Sequence, residues 1–177
     1  MGRIKCICLI ASSLIIRLST LAQSNHYSEE INDSIKYSIS LGHEGLLVSI
    51  DFRENDNQEY RWVELYVKSV DNRLYRLHAS GQLGEQVFNG QEWTEEWDWG
   101  NNQYWEATTH GLNTERNRFY EILLQGDLAK DSMTMMLVLF IADKRKDFST
   151  KPTEITFPEY ASRDNPDTWK TINITKY

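Results

Sequence analysis

Between Glu92 and Trp105 the chain reads Glu-Trp-Thr-Glu-Glu-Trp-Asp-Trp-Gly-Asn-Asn-Gln-Tyr-Trp. Four tryptophans and a tyrosine are interleaved there with four carboxylates, two asparagines and a glutamine. Trp93, Trp97 and Trp99 are separated by even numbers of residues, so one continuous strand would project all three from the same face. Gly100-Asn101-Asn102 has turn chemistry and would bring Trp105 back on the neighbouring strand. A core-facing strand seldom flanks large rings with this many charges, whereas a sugar site needs both. The apolar C–H face of a pyranose stacks on an indole, and its hydroxyls need carboxylate and amide partners. The candidate ligand-binding residues are therefore Trp93, Trp97, Trp99, Tyr104 and Trp105, with Asn101, Asn102 and Glu106 as hydrogen-bonding neighbours. Each stacked ring would add about 0.5–1.5 kcal/mol beyond its area burial. A few such contacts give about millimolar to micromolar affinity, or roughly 4–8 kcal/mol. The competing reading is structural, with the tryptophans as core or as a cross-strand ladder holding a long hairpin.

Other chemistry has weaker support. A glycosidase would need two carboxylates about 5 or 6.5–9.5 Å apart, one with a raised pKa. Glu92, Glu95, Glu96, Asp98, Glu106 and Glu121 are candidates, but a chain with 26 acids always offers some. No Gly-x-Ser-x-Gly elbow, catalytic-cysteine context or phosphate loop is present. Non-catalytic binding is the expectation, with an envelope protein-interaction or structural domain as the alternative and a β-sandwich glycoside hydrolase behind it. His26, His43, His78 and His110 lack ligand-like spacing, so no zinc site is expected. Calcium could sit loosely near Asp51, Glu54 and Asp56, beside Asn57 and Glu59, though the run lacks the ordered spacing of a dedicated loop. Haem would need a methionine and a histidine across a pocket; Met133, Met135, Met136, His78 and His110 are available, but methionines inside an apolar strand are more often core filler.

The address reads as export. Arg3 and Lys5 open the chain, and Cys6–Ile16 form an apolar run of the length of a signal-peptide core and too short to span a bilayer. Thr20 and Ala22 fit a cut before Gln23, so residues 1–22 are expected to be removed and the protein to be secreted or periplasmic, in the cell envelope. Arg17 interrupts this pattern. Both cysteines lie in the leader, which leaves a mature chain without disulfides. The remaining length, about 155 residues, suffices for one domain stabilised by its core alone. Three of the 19 basic residues and none of the 26 acids lie in the leader, so the formal charge of −7 becomes −10 on maturation. A chain that acidic lacks the basic footprint of nucleic-acid binding. No later stretch is apolar for long enough to span a membrane. Asn32-Asp33-Ser34 and Asn173-Ile174-Thr175 match the N-glycosylation pattern, which is common by chance.

The elements that would position the tryptophans are strands. Residues 23–33 are polar and read as a lead-in. Ile35, Tyr37 and Ile39, then Leu46, Val48, Ile50 and Phe52, alternate with polar residues across a turn at Gly42–Gly45, which predicts a hairpin. Val63, Leu65 and Val67 predict a strand paired, through Asp71-Asn72, with Leu74–Ala79. Gly81–Gly90 reads as a loop or short ribbon. Phe119–Leu124 alternates; Met133–Ala142 is nearly all apolar and reads as a strand covered on both faces. Gly126–Ser132 has room for one helical turn. Thr153–Phe157 and Lys170–Thr175 close the chain around a loop with Pro158 and Pro166. The pattern predicts one all-β domain over residues 34–177, an antiparallel, jelly-roll-like β-sandwich with little or no helix.

Three segments carry a family resemblance. Trp62–Ser80, with its Val-Glu-Leu strand and a following strand rich in tyrosine and arginine, resembles the paired strands of family 9 carbohydrate-binding modules and related DOMON-like domains. Phe119–Leu124 followed by Gly126–Leu128 resembles their next strand and turn, with Gln125 and Gly126 in place of a proline. Ile155–Pro158 and Asn165-Pro166-Asp167-Thr168-Trp169 are similar to their closing loop. The resemblance implies a β-sandwich that binds sugars or, in some relatives, haem. It also implies a tryptophan clamp drawn from Trp93, Trp97, Trp99 and Trp105, and a structural role for Trp169.

Overall fold

Alternation along the chain becomes pairing in space. The computed structural model describes residues 26–52, 59–100, 104–109, 119–128, 132–146 and 150–174. The expected leader lies outside them. The strands are β1 (His26–Asn32), β2 (Ile35–Leu41), β3 (Leu46–Phe52), β4 (Glu59–Lys68), β5 (Leu74–Ala79), β6 (Leu83–Val87), β7 (Asp98–Trp99), β8 (Trp105–Thr109), β9 (Phe119–Leu124), β10 (Ser132–Asp143), β11 (Thr153–Phe157) and β12 (Lys170–Asn173). Short 3-10 turns at Gly126–Leu128 and Pro166–Thr168 are the helical content among the described residues. No helix there is long and apolar enough to cross a membrane.

The strands form two antiparallel sheets. The five-stranded sheet runs β1-β2-β3-β9-β8; the seven-stranded one runs β11-β10-β4-β5-β6-β7, with β12 beside the first half of β10. This is the expected all-β, sandwich-like architecture. The chain changes sheet between β3 and β4, between β7 and β8, and between β9 and β10. The inner faces meet in one core. Tyr37, Ile39, Val48, Ile50 and Ile122 from one sheet pack with Val63, Leu65, Leu77, Met135 and Leu137 from the other. Gly45, with φ of 149°, brings its backbone against Leu124; a Cβ there would lie 2.1 Å from the Leu124 carbonyl oxygen, so glycine is required.

One expectation needs correction. Residues 26–32 are an edge strand rather than a lead-in, paired with β2 from His26↔Ser40 to Asn32↔Ile35. Tyr27 and Ile31 pack against the core, and Lys170 binds the Glu29 carboxylate. Outward-facing charge is how an edge strand resists pairing with another chain, and it masked the strand in the sequence. Of the two readings of the glycine-spaced stretch, the ribbon holds: β6 pairs with β5.

The prediction for β10 holds in detail. Met133, Met135, Leu137 and Leu139 face the main core, while Met136, Val138 and Phe140 face the other way into a second apolar cluster. Tyr66, Leu74 and Trp169 complete the buried part of that cluster, with Trp62, Phe88, Trp93 and Ala161 at its margin. The closing loop forms part of its cover. Trp169 Nε1 donates to the Ser162 carbonyl at 2.8 Å, and Asn165 caps the 3-10 turn before it.

Candidate functional site

The tryptophan segment is a folded-back loop, not a continuous strand. Asn89 Oδ1 accepts from the Gln91 and Glu92 amides, turning the chain at Asn89-Gly90. Returning residues bridge to β6 through Phe88↔Trp93, then through Glu85↔Asp98 and Gly84↔Trp99. The three rings still share the outer face of the seven-stranded sheet, as the even spacing predicts, although no single strand carries them. Trp97 and Trp99 come together, with ring centroids 5.5 Å apart and planes 31° apart. Trp99 is 50% exposed. Trp93 instead fills the second apolar cluster, edge-on to Tyr66 and Phe88.

Registry places the pair on the outer face of the seven-stranded sheet. Val138, Glu64, His78, Gly84 and Trp99 lie side by side across β10, β4, β5, β6 and β7. In the neighbouring row are Met136, Tyr66, Arg76 and Gln86. Gly84 is the seat of the platform: a Cβ there would lie 2.6 Å from the Trp99 ring. The His78 ring stands edge-on to both indoles, at 5.4 Å from Trp97 and 5.6 Å from Trp99. The Arg76 guanidinium lies 4.6 Å from the Trp97 centroid, a cation–π arrangement.

A buried polar network holds those supports. Arg76 donates from Nε and Nη2 to the two oxygens of Glu64, at 3.0 and 2.8 Å, and from Nη1 to Gln86 Oε1 at 2.9 Å. Gln86 Nε2 in turn donates to the Thr94 carbonyl at 2.7 Å, tying the network to the tryptophan loop. Tyr66 OH donates to Glu64 at 3.0 Å. Burial by itself would raise the Glu64 carboxyl. Hydrogen bonding from His78 and Arg76, with the guanidinium charge, outweighs burial and holds it below its ordinary 4.5. Burial, with the Glu64 charge, pushes the Tyr66 phenol up. Glu64 is thus a fixed anion, which suits orientation of Arg76 and not proton donation.

The remaining candidates go elsewhere. Trp105 is 0% exposed in the core between the sheets, and its Nε1 donates to Glu85 Oε2 at 2.9 Å. It pairs with Leu124 in the five-stranded sheet, not beside the tryptophan loop. The expected return of Trp105 beside Trp99 is corrected by that change of sheet. Tyr104 is 40% exposed but sits at the start of β8, near Gly126. Glu106 is exposed on β8 and, alternating with the core-packed Trp105 and Ala107, points out of the five-stranded sheet. Asn101 and Asn102 lie outside the described residues. Glu85 has a raised carboxyl pKa through burial and the neighbouring Asp98 charge, opposed by the Trp105 hydrogen bond. It lies on the opposite side of β6 from Trp99.

The metal and haem candidates fall only in part among the described residues. No group of three histidine, cysteine or acidic side chains comes together among the described residues. Asp51 sits on β3, while Glu54, Asp56 and His110 lie outside the described residues. Met133 and Met135 face the main core, opposite His78; Met136 shares the face of His78 but is fully buried in the second apolar cluster.

Beside the tryptophan pair opens a cleft of about 710 Å³, lined by Trp62, His78, Ser80, Tyr60, Lys146 and Lys151. That volume falls within the usual range of ligand pockets, about 300–1,000 Å³. His78 belongs to both cleft and platform. Trp62 stacks on Phe140 at 4.9 Å with planes 2° apart, which fixes its ring at the cleft wall. Reading the segment Glu92–Trp105 alone missed Trp62, Arg76, His78 and Gly84. Their signal was present in β4 and β5, where Trp62, Glu64, Tyr66, Arg76 and His78 occupy the phase opposite the core residues. A face meant only for water does not need such large or charged groups. Comparison with protein-family models, curated proteins and solved structures finds no match for this chain.

Proposed function

We propose that this is a carbohydrate-binding protein that holds a glycan against the Trp97–Trp99 pair without cleaving it. The observation that carries the reading is the pair itself. Two indoles, one half open to water, are fixed from beneath by Gly84 and from the side by His78 and Arg76. An apolar ring face held rigid and left exposed gives stacking at little entropic cost on binding. The exposed acids Glu95 and Glu96 on the same loop supply acceptors for sugar hydroxyls. The sandwich architecture and the resemblance to family 9 modules favour the same ligand class. A role in the cell envelope, following removal of the leader near Ala22, completes the proposal.

Tryptophan fluorescence titrated with a panel of oligosaccharides tests it directly. At least one sugar is expected to shift the emission with micromolar to millimolar affinity, and Trp99→Ala to weaken that binding tenfold or more. A panel that leaves the emission unchanged, or a Trp99→Ala protein that binds as well as the parent, would overturn the proposal.

A further inference from the structure

The cleft beside the platform differs in charge from the rest of the chain. Among the described residues, Arg61, Lys144, Lys146 and Lys151 line it against two acids, Glu59 and Asp143. This local excess of positive charge stands on a chain whose formal charge is −7. Both acids already have arginine partners. Arg61 grips Glu59 at 2.7 Å, and Arg145 donates to both oxygens of Asp143, each at 2.9 Å. Those arginine bonds keep the Asp143 carboxyl down at about 2, so it stays an anion bound to Arg145 at any ordinary pH. Lys144 lies 5.0 Å over the Tyr60 ring, which holds the ammonium at the cleft wall. Lys151 is 85% exposed and only loosely paired with Glu154, at 3.7 Å.

Aromatic and basic groups meet at one place. Trp62 and Tyr60 form an apolar wall, the lysines face it, and His78 joins this cavity to the Trp97–Trp99 pair. We infer that the cleft is an anionic-sugar subsite: it takes a carboxylated or sulfated sugar unit of the same glycan whose neighbouring unit stacks on Trp97 and Trp99. This inference rests on the proposed platform. The net negative charge of the chain does not oppose it, because exposed charges farther off than about 8 Å are largely screened at physiological ionic strength.

Matched probe pairs separate the two claims. One pair is trigalacturonate and its methyl ester; the other is a sulfated galactan oligosaccharide and its desulfated form. Each is titrated at low and high salt against the full protein, Trp99→Ala, and the surface double variant Lys146→Ala/Lys151→Ala. The expected result is that one charged probe binds at least tenfold more tightly than its neutral partner. That preference should shrink in high salt and vanish in the lysine variant, which keeps its binding of the neutral probe. Whichever pair shows the preference identifies carboxylate or sulfate. Equal binding within both pairs, still lost in Trp99→Ala, overturns the charged subsite and leaves the platform standing. A charge preference abolished by the lysine changes but untouched by Trp99→Ala overturns the platform and keeps an anion site in the cleft. No binding of any probe by the parent protein overturns the subsite.

Discussion

The two outer faces of this sandwich have very different side chains. On the five-stranded sheet, the rows read Ser28, Ser38, Ser49, Glu121 and His26, Ser40, Leu47, Leu123, Glu106. Serines, His26, two leucines and acidic groups stand there, and no phenylalanine, tyrosine or tryptophan ring lies in these rows. On the seven-stranded sheet, the matching positions hold Trp62, Glu64, Tyr66, Arg76 and His78, covered in part by Trp93, Trp97 and Trp99. Since an antiparallel sheet needs only one buried face, the first surface shows what stability requires. The second goes beyond it, with an ion pair and three indoles whose arrangement leaves one ring open. Leaving Trp99 half exposed on this layer adds little to stability, and that difference is why the proposed binding surface is on the seven-stranded side.

Separating the tryptophans of the core from those of the platform breaks or sharpens this contrast most strongly. Trp105→Ala should cost about 3–5 kcal/mol, because it empties a fully buried site and leaves Glu85 without its donor. Trp99→Ala should change stability by only about 0.5 kcal/mol while removing binding. Urea unfolding of the two variants checks this, and similar losses in both would dissolve the distinction between the two rings.

The support beneath the platform comes next. Arg76→Ala leaves Glu64 buried with its charge uncompensated, and should cost towards the lower end of about 3–5 kcal/mol, since Arg76 is still 24% exposed. It should also weaken sugar binding although Arg76 need not touch the sugar, because Trp97 loses its seat. A variant that unfolds more easily yet binds normally would show the network to be purely structural. The same pair predicts a pH dependence. Glu64 is held below 4.5 in the folded protein, so its contribution is complete above that value. It is lost as the pH falls through the lower folded value, where the unfolded chain has already taken up the proton. Below pH 4.5 the parent should therefore lose stability more steeply than Glu64→Gln.

Gly84→Ala is the finest probe. Its added methyl would meet the Trp99 ring at 2.6 Å and lift it off the sheet. The ring can move towards water, so the stability cost should stay below about 1 kcal/mol. Sugar affinity should nevertheless drop several-fold in titration. Unchanged affinity would mean that the tilt of the pair is irrelevant to binding.

Much of the scaffold was legible because alternation is a local signal. Leu46, Val48, Ile50 and Phe52 marked an inward phase, Asp71-Asn72 marked a hairpin, and the unbroken apolar run of β10 marked a strand covered on both sides. β1 was hidden because its inward residues, Tyr27, Glu29 and Ile31, include an acid and because an edge strand carries charge. The site was legible in composition and only in part in arrangement. The density and even spacing of tryptophan marked one shared face, but not which of its rings packing would cover. A bend at Glu95-Glu96 interrupts the expected continuous strand, and Trp93 packs into the second apolar cluster.

The residue types alone decided that this chain would be a β-protein with a tryptophan-rich, sugar-suited segment, since side-chain periodicity and ring chemistry reside in neighbouring residues. Which rings would stay in water was settled only by the packing of the two sheets. Trp105 lies six residues from Trp99, yet the crossing between sheets buries one ring and leaves the other half exposed. Contacts between β6, β7 and β8 depend on strands distant in the chain, and burial follows those contacts rather than sequence distance.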